Sequence, residues 1–332
     1  MSLTRRHFHQ SGLALAAAAI SPSLLAQARD AAAFPNRPIK LMIPFAPGGG
    51  TDIVGRAVGE KLSQALGQSV VVENRAGANG TIGANLVARS PADGHTLCMF
   101  TASHSVNVSL QGAKLPYNLL RDFAPIIHFA SQPYILVVKP SLPVKTVKEF
   151  LALSKTKPGG LNYGSSGVGG LIHLASELLA NTTGTKFTHV PYKGGAEAMA
   201  DVVSGNVDFM ITSYNQAKPF IDGGQLRLLA VTTRERSAAM PKTPTLQEEG
   251  VAGYDVVSWY GFAAPAGTPE PIMTRLNTTL NQALKAKDMS DKLVADGAYP
   301  IGGSGANFAA FMAAEVKKWD KLISDTGIQV GG

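Results

Sequence analysis

The sequence has only one cysteine in 332 residues, Cys98, and few charged residues, which make up 16% of the chain. A single cysteine excludes an intramolecular disulfide, and its place in the apolar run Thr96–Phe100 predicts a buried core thiol rather than a nucleophile. The 30 lysines and arginines exceed the 23 acidic residues but are scattered, without interleaved aromatic residues. This mildly basic pattern argues against nucleic-acid binding and suits an acidic small molecule.

Patterns typical of metal sites and of catalysis are also missing. The histidines that follow the amino-terminal segment show no metal-ligand spacing, and we expect most of them to be structural. Arg56 and Ala57 stand where a phosphate-binding loop has its lysine and hydroxyl. Val168 replaces the last glycine of a nucleophile elbow that would begin at Gly164. We therefore predict no metal, no cofactor and no catalytic residue.

The amino terminus has the features of an export signal. Arg5-Arg6 precede the apolar stretch Gly12–Leu25, and Ala26-Gln27-Ala28 is a small-x-small cleavage site. Thr4–Phe8 resembles a twin-arginine signal, and an ordinary secretory signal is the alternative. Either route leads out of the cytoplasm, so we predict a periplasmic chain that begins at Arg29. No later stretch approaches about 18 consecutive apolar residues, the length that a membrane span needs.

A unit of strand, glycine-rich turn and helix comes next. The apolar run Ile39–Phe45 predicts a strand, and an apolar residue then recurs every four positions from Val54 to Leu66, before Gly67 stops the helix. Glycines let backbone N–H groups approach a ligand, and the first turn of a helix attracts an anion. We expect Asp52 either to satisfy N–H groups at the start of this helix or to bind the ammonium group of an amino-acid ligand.

The same design recurs along the chain. Strand Ser69–Glu73 runs into a second glycine-rich turn, and strand Thr96–Phe100 ends in hydroxyl-bearing residues. In the second half, strand Leu161–Tyr163 is followed by the glycine-rich turn Gly164–Gly170 and a helix. Ligands of open parallel sheets bind outside the carboxyl ends of the strands, so these loops are expected to converge. Ser131–Pro133 separates two apolar runs and predicts a crossing between domains, with the return crossing at Val256–Ala264.

Six motifs, in this order, resemble those of the Bug receptors of the tripartite tricarboxylate transporter system. They are Pro35-x-Arg37-Pro38-Ile39, Pro44-Phe45-x-Pro47-Gly48-Gly49-x-x-Asp52, Glu73-Asn74-Arg75-x-Gly77-Ala78-x-Gly80, Asp93-Gly94-His95-Thr96-Leu97, Tyr163-Gly164-Ser165-x-Gly167 and Val190-Pro191-Tyr192-Lys193-Gly194. The resemblance covers essentially the whole chain after the export signal.

This resemblance implies a periplasmic solute-binding protein of the type II fold. Two α/β lobes, each a mixed or parallel sheet flanked by helices, would close on a ligand in the cleft between them. We expect lobe 1 to comprise residues 29–131 and 255–332, and lobe 2 to comprise residues 132–254. The implied ligand is a small carboxylate: a dicarboxylate, a tricarboxylate, an amino acid or an aromatic acid. The implied partners are membrane transporter subunits, and we expect a monomer.

The expected ligand contacts come from both lobes. Lobe 1 would hold the carboxylate mainly through two loops and a strand exit, at Phe45, Pro47, Gly48, Gly49, Gly50, Thr51, Asp52, Asn79, Gly80, Thr81, Thr101 and Ser103. Lobe 2 would supply selectivity, from Ser165, Ser166, Gly167, His173, Tyr192, Lys193, Gly194, Ser213 and Asn215. Ser165 and Ser166 could instead merely cap the helix that follows them.

Two alternatives to a transport receptor stay open from the sequence. The protein could present its ligand to a sensor without any transport. It could also be an exported enzyme on the same scaffold, because fold does not determine function. In that case His173, paired with Ser165 or Ser166, would be the catalytic pair.

Overall fold

The computed structural model describes residues 33–45, 47–48, 50–192, 194–295 and 297–327. The predicted export signal and two predicted contacts, Gly49 and Lys193, lie outside these ranges. Within the described ranges, none of the helices combines the length and the apolar character that crossing a bilayer requires.

Strands and helices alternate over most of the chain. The strands are β1 Ile39–Ile43, β2 Val70–Asn74, β3 Thr96–Thr101, β4 Phe123–Val138, β5 Leu161–Ser165, β6 Phe187–Pro191, β7 Phe209–Ser213, β8 Arg227–Val231, β9 Val257–Pro265 and β10 Tyr299–Gly302. The helices are α1 Gly50–Leu66, α2 Thr81–Ala88, α3 Ala102–Gln111, α4 Val147–Thr156, α5 Leu171–Thr183, α6 Gly195–Ser204, α7 Tyr214–Asp222, α8 Glu270–Lys285, α9 Lys287–Ala295 and α10 Gly305–Thr326.

The strands form two mixed groups that share β4. In the first group, β2, β1 and β3 are parallel, and β9 joins β3 and β4 in antiparallel pairing. In the second group, β6, β5 and β7 are parallel, and β7 pairs antiparallel with β4. Strands β10 and β8 also pair with β4, in the first and second group respectively.

Strand β4 is itself the crossing between the two groups. Phe123–Pro133 pairs with β9, whereas Tyr134–Val138 pairs with β7 and β8. The sequence predicted a crossing between domains at Ser131–Pro133, and in the structure a continuous strand runs through these residues. Ser131 and Gln132 are buried within it, so their polarity does not mark a loop.

The strand–turn–helix unit occurs in both halves, as β1-α1-β2-α2-β3-α3 and as β5-α5-β6-α6-β7-α7. Thr101, at the carboxyl end of β3, pairs with Tyr260, close to the start of β9. Ser213, at the carboxyl end of β7, pairs with Tyr134, where β4 changes partners. The carboxyl ends of the two sets of parallel strands therefore face each other across the crossing.

Local sequence explains several of these elements. Thr146 caps α4 through a capping box with Glu149. Cys98 is a buried free thiol in β3, which confirms that prediction. Ala286, in an extended conformation, ends α8 and separates it from α9.

Candidate functional site

Six helices begin at the facing ends of the parallel strands. α1, α2 and α3 follow β1, β2 and β3, and α5, α6 and α7 follow β5, β6 and β7. Each helix start carries unpaired N–H groups and the positive end of the helix dipole. The space between the two sets therefore favours an anion without requiring a lysine or arginine side chain.

Asp52 holds the first turn in place. Its carboxylate is buried and accepts hydrogen bonds from Gly48 N–H (2.9 Å), Arg56 Nε (3.0 Å) and Asn74 Nδ2 (2.9 Å). Burial raises the pKa of Asp52, but the hydrogen bonds from Arg56, Gly48 and Asn74 outweigh it, and the pKa lies below its ordinary value. Asp52 thus caps the turn before its own helix, and an ammonium ligand would have to share its oxygens.

The second turn, Gly77–Gly80, has a positive φ at all four residues, of 134°, 46°, 52° and 91°. Two side chains of α3 fasten it. Asn79 Nδ2 donates to Asn107 Oδ1, and Asn107 Nδ2 donates to the Asn79 carbonyl (3.0 and 2.9 Å). Thr81, the first residue of α2, accepts from Gln111 Nε2 at 2.9 Å. The hydroxyl group of Thr81 therefore bonds to a side chain of α3, whereas the exposed Asn79 holds the turn in place.

Asn74 joins the two turns. Besides Asp52, its Nδ2 atom donates to the carbonyl of Phe45 at 3.1 Å, and its Oδ1 atom accepts from Arg56 at 2.9 Å. The structure therefore brings the two predicted loops of lobe 1 together. Asn74, Asn107 and Gln111 were not among the predicted contacts, because their role depends on distances between segments that the sequence does not reveal.

The exit of β3 lies beside these turns. Thr101 is buried as the N-cap of α3, and Ser103 is half-buried in the first turn of that helix. His104 is buried between the β3 exit and the second turn, with its ring edge-on to Phe45 at 5.9 Å between centroids. His104 is a further residue at this site that sequence reasoning assigned only a structural role.

In the second half, two histidines support the turn Ser165–Gly170. Ser165 is buried, and its Oγ lies 2.6 Å from His189 Nε2 and accepts from Gly167 N–H at 3.1 Å. Gly169 N–H donates to His173 Nδ1 at 3.0 Å, and the two imidazoles stack at 4.1 Å. Burial lowers the pKa of each histidine to about 4, so both are neutral near pH 7.

This arrangement corrects the catalytic pair considered from the sequence. Ser165 pairs with His189 rather than with His173, and Ser166 is exposed. His173 binds its own turn through Nδ1, and its Nε2 lies 3.9 Å from Glu177 Oε1. Nδ1 of His173 is therefore used by its own turn, and its neutral Nε2 lies beyond hydrogen-bond distance of Glu177.

The remaining predicted contacts lie at the other two helix starts of this half. Tyr192 follows β6 and donates its hydroxyl to Asp201 Oδ2 at 2.6 Å, and Gly194 is the N-cap of α6. Ser213 is the N-cap of α7, and Asn215 Oδ1 accepts from Gln216 N–H at 2.9 Å. Among the described residues, no group of three or more His, Cys, Asp or Glu side chains is arranged to hold a metal ion.

Comparison with known proteins identifies the family. The sequence profile of the TctC family, described as the tripartite tricarboxylate transporter family receptor, matches residues 54–328. The chain belongs to this family. BugT of Bordetella pertussis, a curated relative, is 34% identical over 298 residues, which cover 90% of this chain and 91% of BugT. The resemblance to Bug receptors seen in the sequence motifs is confirmed.

Solved structures of similar proteins share the fold of this TctC-family chain. R. palustris Rpa4515 with adipate is 38% identical, with a TM-score of 0.80, and the match covers 89% of this chain and 99% of that one. MatC from Rhodopseudomonas palustris with bound malate is 32% identical, with a TM-score of 0.76, and the match covers 87% of this chain and 100% of that one. The periplasmic binding protein BugD is 31% identical, with a TM-score of 0.77, and the match covers 89% of this chain and 99% of that one. The predicted two-lobe α/β fold is thereby confirmed.

Proposed function

We propose that this TctC-family receptor captures a small carboxylate in the cleft between its two lobes and delivers it to the membrane subunits of a tripartite tricarboxylate transporter. The observation that carries the proposal is the meeting of six helix starts from two sets of parallel strands. Such a cleft binds an anion through N–H groups, and closure of the lobes would strengthen these bonds by excluding water.

The groups at the two lobe 1 turns, which are chiefly backbone groups, support a carboxylate ligand. Arg56, a cation beside the first turn, already pairs with Asp52 and Asn74. The turn Gly77–Gly80 leads directly into the start of α2, and the first turn of a helix favours an anion. Structures of two relatives contain adipate and malate, which are both dicarboxylates. We therefore propose a ligand with at least one carboxylate that is bound chiefly by neutral donors.

We propose residues 29–131 with 255–332 as lobe 1 and residues 132–254 as lobe 2. The exchange of β4 partners after Pro133 supports the first boundary, and the start of β9 at Val257 supports the second. The lobe 1 contacts proposed are the two turns around Gly48 and Gly80. The lobe 2 contacts are the helix starts that follow β5, β6 and β7, where the structure does not describe Lys193.

We also propose that the chain acts in the periplasm as a monomer. The family consists of receptors for a membrane transporter, and the amino-terminal motif supports export. Sequencing the amino terminus of protein recovered from a periplasmic fraction should give Arg29 as the first residue. An intact Met1 in the periplasmic protein would contradict cleavage after Ala28.

Mass spectrometry of small molecules released from the denatured protein tests the ligand class directly. We expect one acid in near-stoichiometric amount. Isothermal titration with malate, adipate, citrate, aspartate and benzoate then ranks the classes, and uptake of the best binder should fall when the receptor gene is deleted. Conversion of the bound acid to a product would favour the enzyme alternative. Failure to bind any acid, with none co-purified, would refute the receptor function.

A further inference from the structure

The imidazole of His104 lies between the two anion-binding turns of lobe 1. His104 is the third residue of α3 and is 0% exposed. A Cβ atom placed on Gly80 would lie 3.0 Å from His104 Nε2 and 3.2 Å from the tip of the Phe45 ring. Nε2 of His104 therefore approaches the point where Phe45, from the first turn, meets Gly80, from the second.

The tautomer of this imidazole follows from its other nitrogen. Thr101 N–H donates to His104 Nδ1 at 3.0 Å, as part of the capping box of α3. The Thr101 carbonyl oxygen also lies 3.2 Å from Nδ1, but the backbone N–H of Thr101 is a fixed donor that is directed at Nδ1, so Nδ1 is the acceptor and we assign the ring hydrogen to Nε2. Burial lowers the pKa of His104 to about 4, so the ring is a neutral Nε2–H donor near pH 7.

This donor has no hydrogen-bond partner within the described structure. A buried N–H group without an acceptor is costly, and most buried donors in native proteins have one. Gly80, which lies beside Nε2, has no side chain, and the two aromatic rings next to the imidazole, Phe100 and Phe45 at 4.7 and 5.9 Å between centroids, carry no acceptor atom. An acceptor that arrives with the ligand would satisfy it.

We propose that His104 is a ligand-binding residue, which donates its Nε2–H to a carboxylate oxygen bound at the start of α2. This inference rests on the proposed receptor function. Gly80 lacks a side chain where a Cβ would crowd Nε2, and the proposal requires the half-buried Phe45 ring to move aside when the carboxylate binds. His104 thus adds a directional, uncharged side-chain contact to a site otherwise made of backbone N–H groups.

Two substitutions separate this role from the capping role. In His104→Asn, the amide oxygen can still accept from Thr101 N–H, but the donor at the position of Nε2 is lost. In His104→Gln, the amide nitrogen reaches the position of Nε2, but the cap is lost. We expect H104N to weaken the binding of the best acid about 10- to 100-fold, as for loss of a hydrogen bond to a charged group, with a small change in stability. H104Q should bind more tightly than H104N but unfold more easily.

His95→Asn is the matched control. His95 is also a buried histidine whose Nε2 has no partner in the described structure, but it precedes β3, at the opposite end from Thr101. H95N should leave affinity unchanged. Equal affinity of H104N and the wild-type protein would overturn the role of His104 alone, whereas a wild-type protein that binds none of the acids would overturn the receptor function.

Nuclear magnetic resonance gives a second readout that does not depend on a folded variant. In protein labelled with ¹⁵N-histidine, the Nε2–H signal of His104 should move downfield when the best acid is added, and that of His95 should not. Affinity should stay level between about pH 6 and 8, because the donor is neutral over this range. An unmoved His104 signal, or tighter binding as the pH falls through 6.5, would contradict a neutral donor.

Discussion

Trp259 donates its indole N–H to Glu315 Oε2 at 3.2 Å and so ties β9 to α10. Trp319 donates to the same oxygen at 3.2 Å, and Lys318 forms an ion pair with the other oxygen. Trp259 also pairs with Ser131 in the crossing strand β4. Glu315 therefore joins the carboxyl-terminal helix to the segment through which the two halves of the protein are connected.

Replacing Glu315 with alanine should destabilise the protein. Two buried indole N–H groups would lose their acceptor, at about 1–3 kcal/mol each, so we expect the free energy of unfolding to fall by about 2–6 kcal/mol. Urea denaturation followed by far-UV circular dichroism measures this change. Glu60→Ala is the control, because Glu60 is exposed and only accepts from Gln64, and it should change stability by less than about 0.5 kcal/mol. Similar curves for both variants would show that Glu315 does not hold this junction.

Ser165→Ala should loosen the turn at the start of α5. The variant loses the acceptor of Gly167 N–H and the partner of His189 Nε2, so we expect the free energy of unfolding to fall by about 1–2 kcal/mol and acid binding to weaken. Ser166→Ala is the stability control, since Ser166 is exposed. Thermal unfolding and isothermal titration measure both effects. Equal melting temperatures for the two variants would argue against the support that His189 gives to this turn.

Much of this architecture could be predicted from the sequence, because apolar strands, glycine-rich turns and capping residues are local signals. Helix α3 was not predicted, because polar residues recur at every second position from Ser103 to Ser109, which is not a helical spacing, and because its start depends on the Thr101–His104 capping box. Helix α7 was not predicted either, and it contains Pro219. Tertiary contacts can stabilise a helix whose own sequence has only a weak helical pattern, and hydrophobic periodicity does not detect such a helix.

The contacts within the site could be predicted only as loops. The sequence indicated that turns at Gly48, Gly80 and Gly167 follow strands, but the partners of Asp52 and Ser165 lie 22 and 24 residues away in Asn74 and His189. Those pairings depend on which residues of neighbouring strands lie side by side, and this register was not predicted from the pattern of side chains. The unpartnered Nε2 of His104 is likewise visible only once three segments are packed together.

Asp52→Asn tests how a charge stabilises the first turn. The pKa of Asp52 is lower in the folded protein than its ordinary value of 3.8, so its charge contributes stability above about pH 4, which is lost as the pH falls through the folded pKa. We expect D52N to be less stable than wild type by about 1–3 kcal/mol at pH 7, with a smaller difference at pH 3. Urea midpoints at both pH values measure this change.

Asp222→Asn is the control for charge loss, because Asp222 is exposed and pairs only with Lys218 on the same helix, which contributes little. A gap between D52N and wild type that is independent of pH would contradict the ionic role. Titration of D52N with aspartate and malate addresses the remaining alternative. Selective loss of aspartate binding would assign Asp52 to a ligand ammonium, and an equal loss for both acids would assign it to the turn alone.

Gly80→Ala and Gly67→Ala separate backbone strain from crowding at the site. Both glycines have positive φ, of 91° and 69°, so alanine costs roughly 1–2 kcal/mol at either position. The surroundings differ. A Cβ at position 67 meets nothing within 4 Å, whereas a Cβ at position 80 lies 3.0 Å from His104 Nε2 and 3.2 Å from the Phe45 ring.

We expect G67A to keep wild-type affinity for the best acid and G80A to lose at least about tenfold, because the methyl group takes the space through which a carboxylate would reach His104. Urea denaturation of both variants corrects for their stabilities, and a G80A protein that is folded and binds as tightly as G67A would show that the second turn does not contact the ligand.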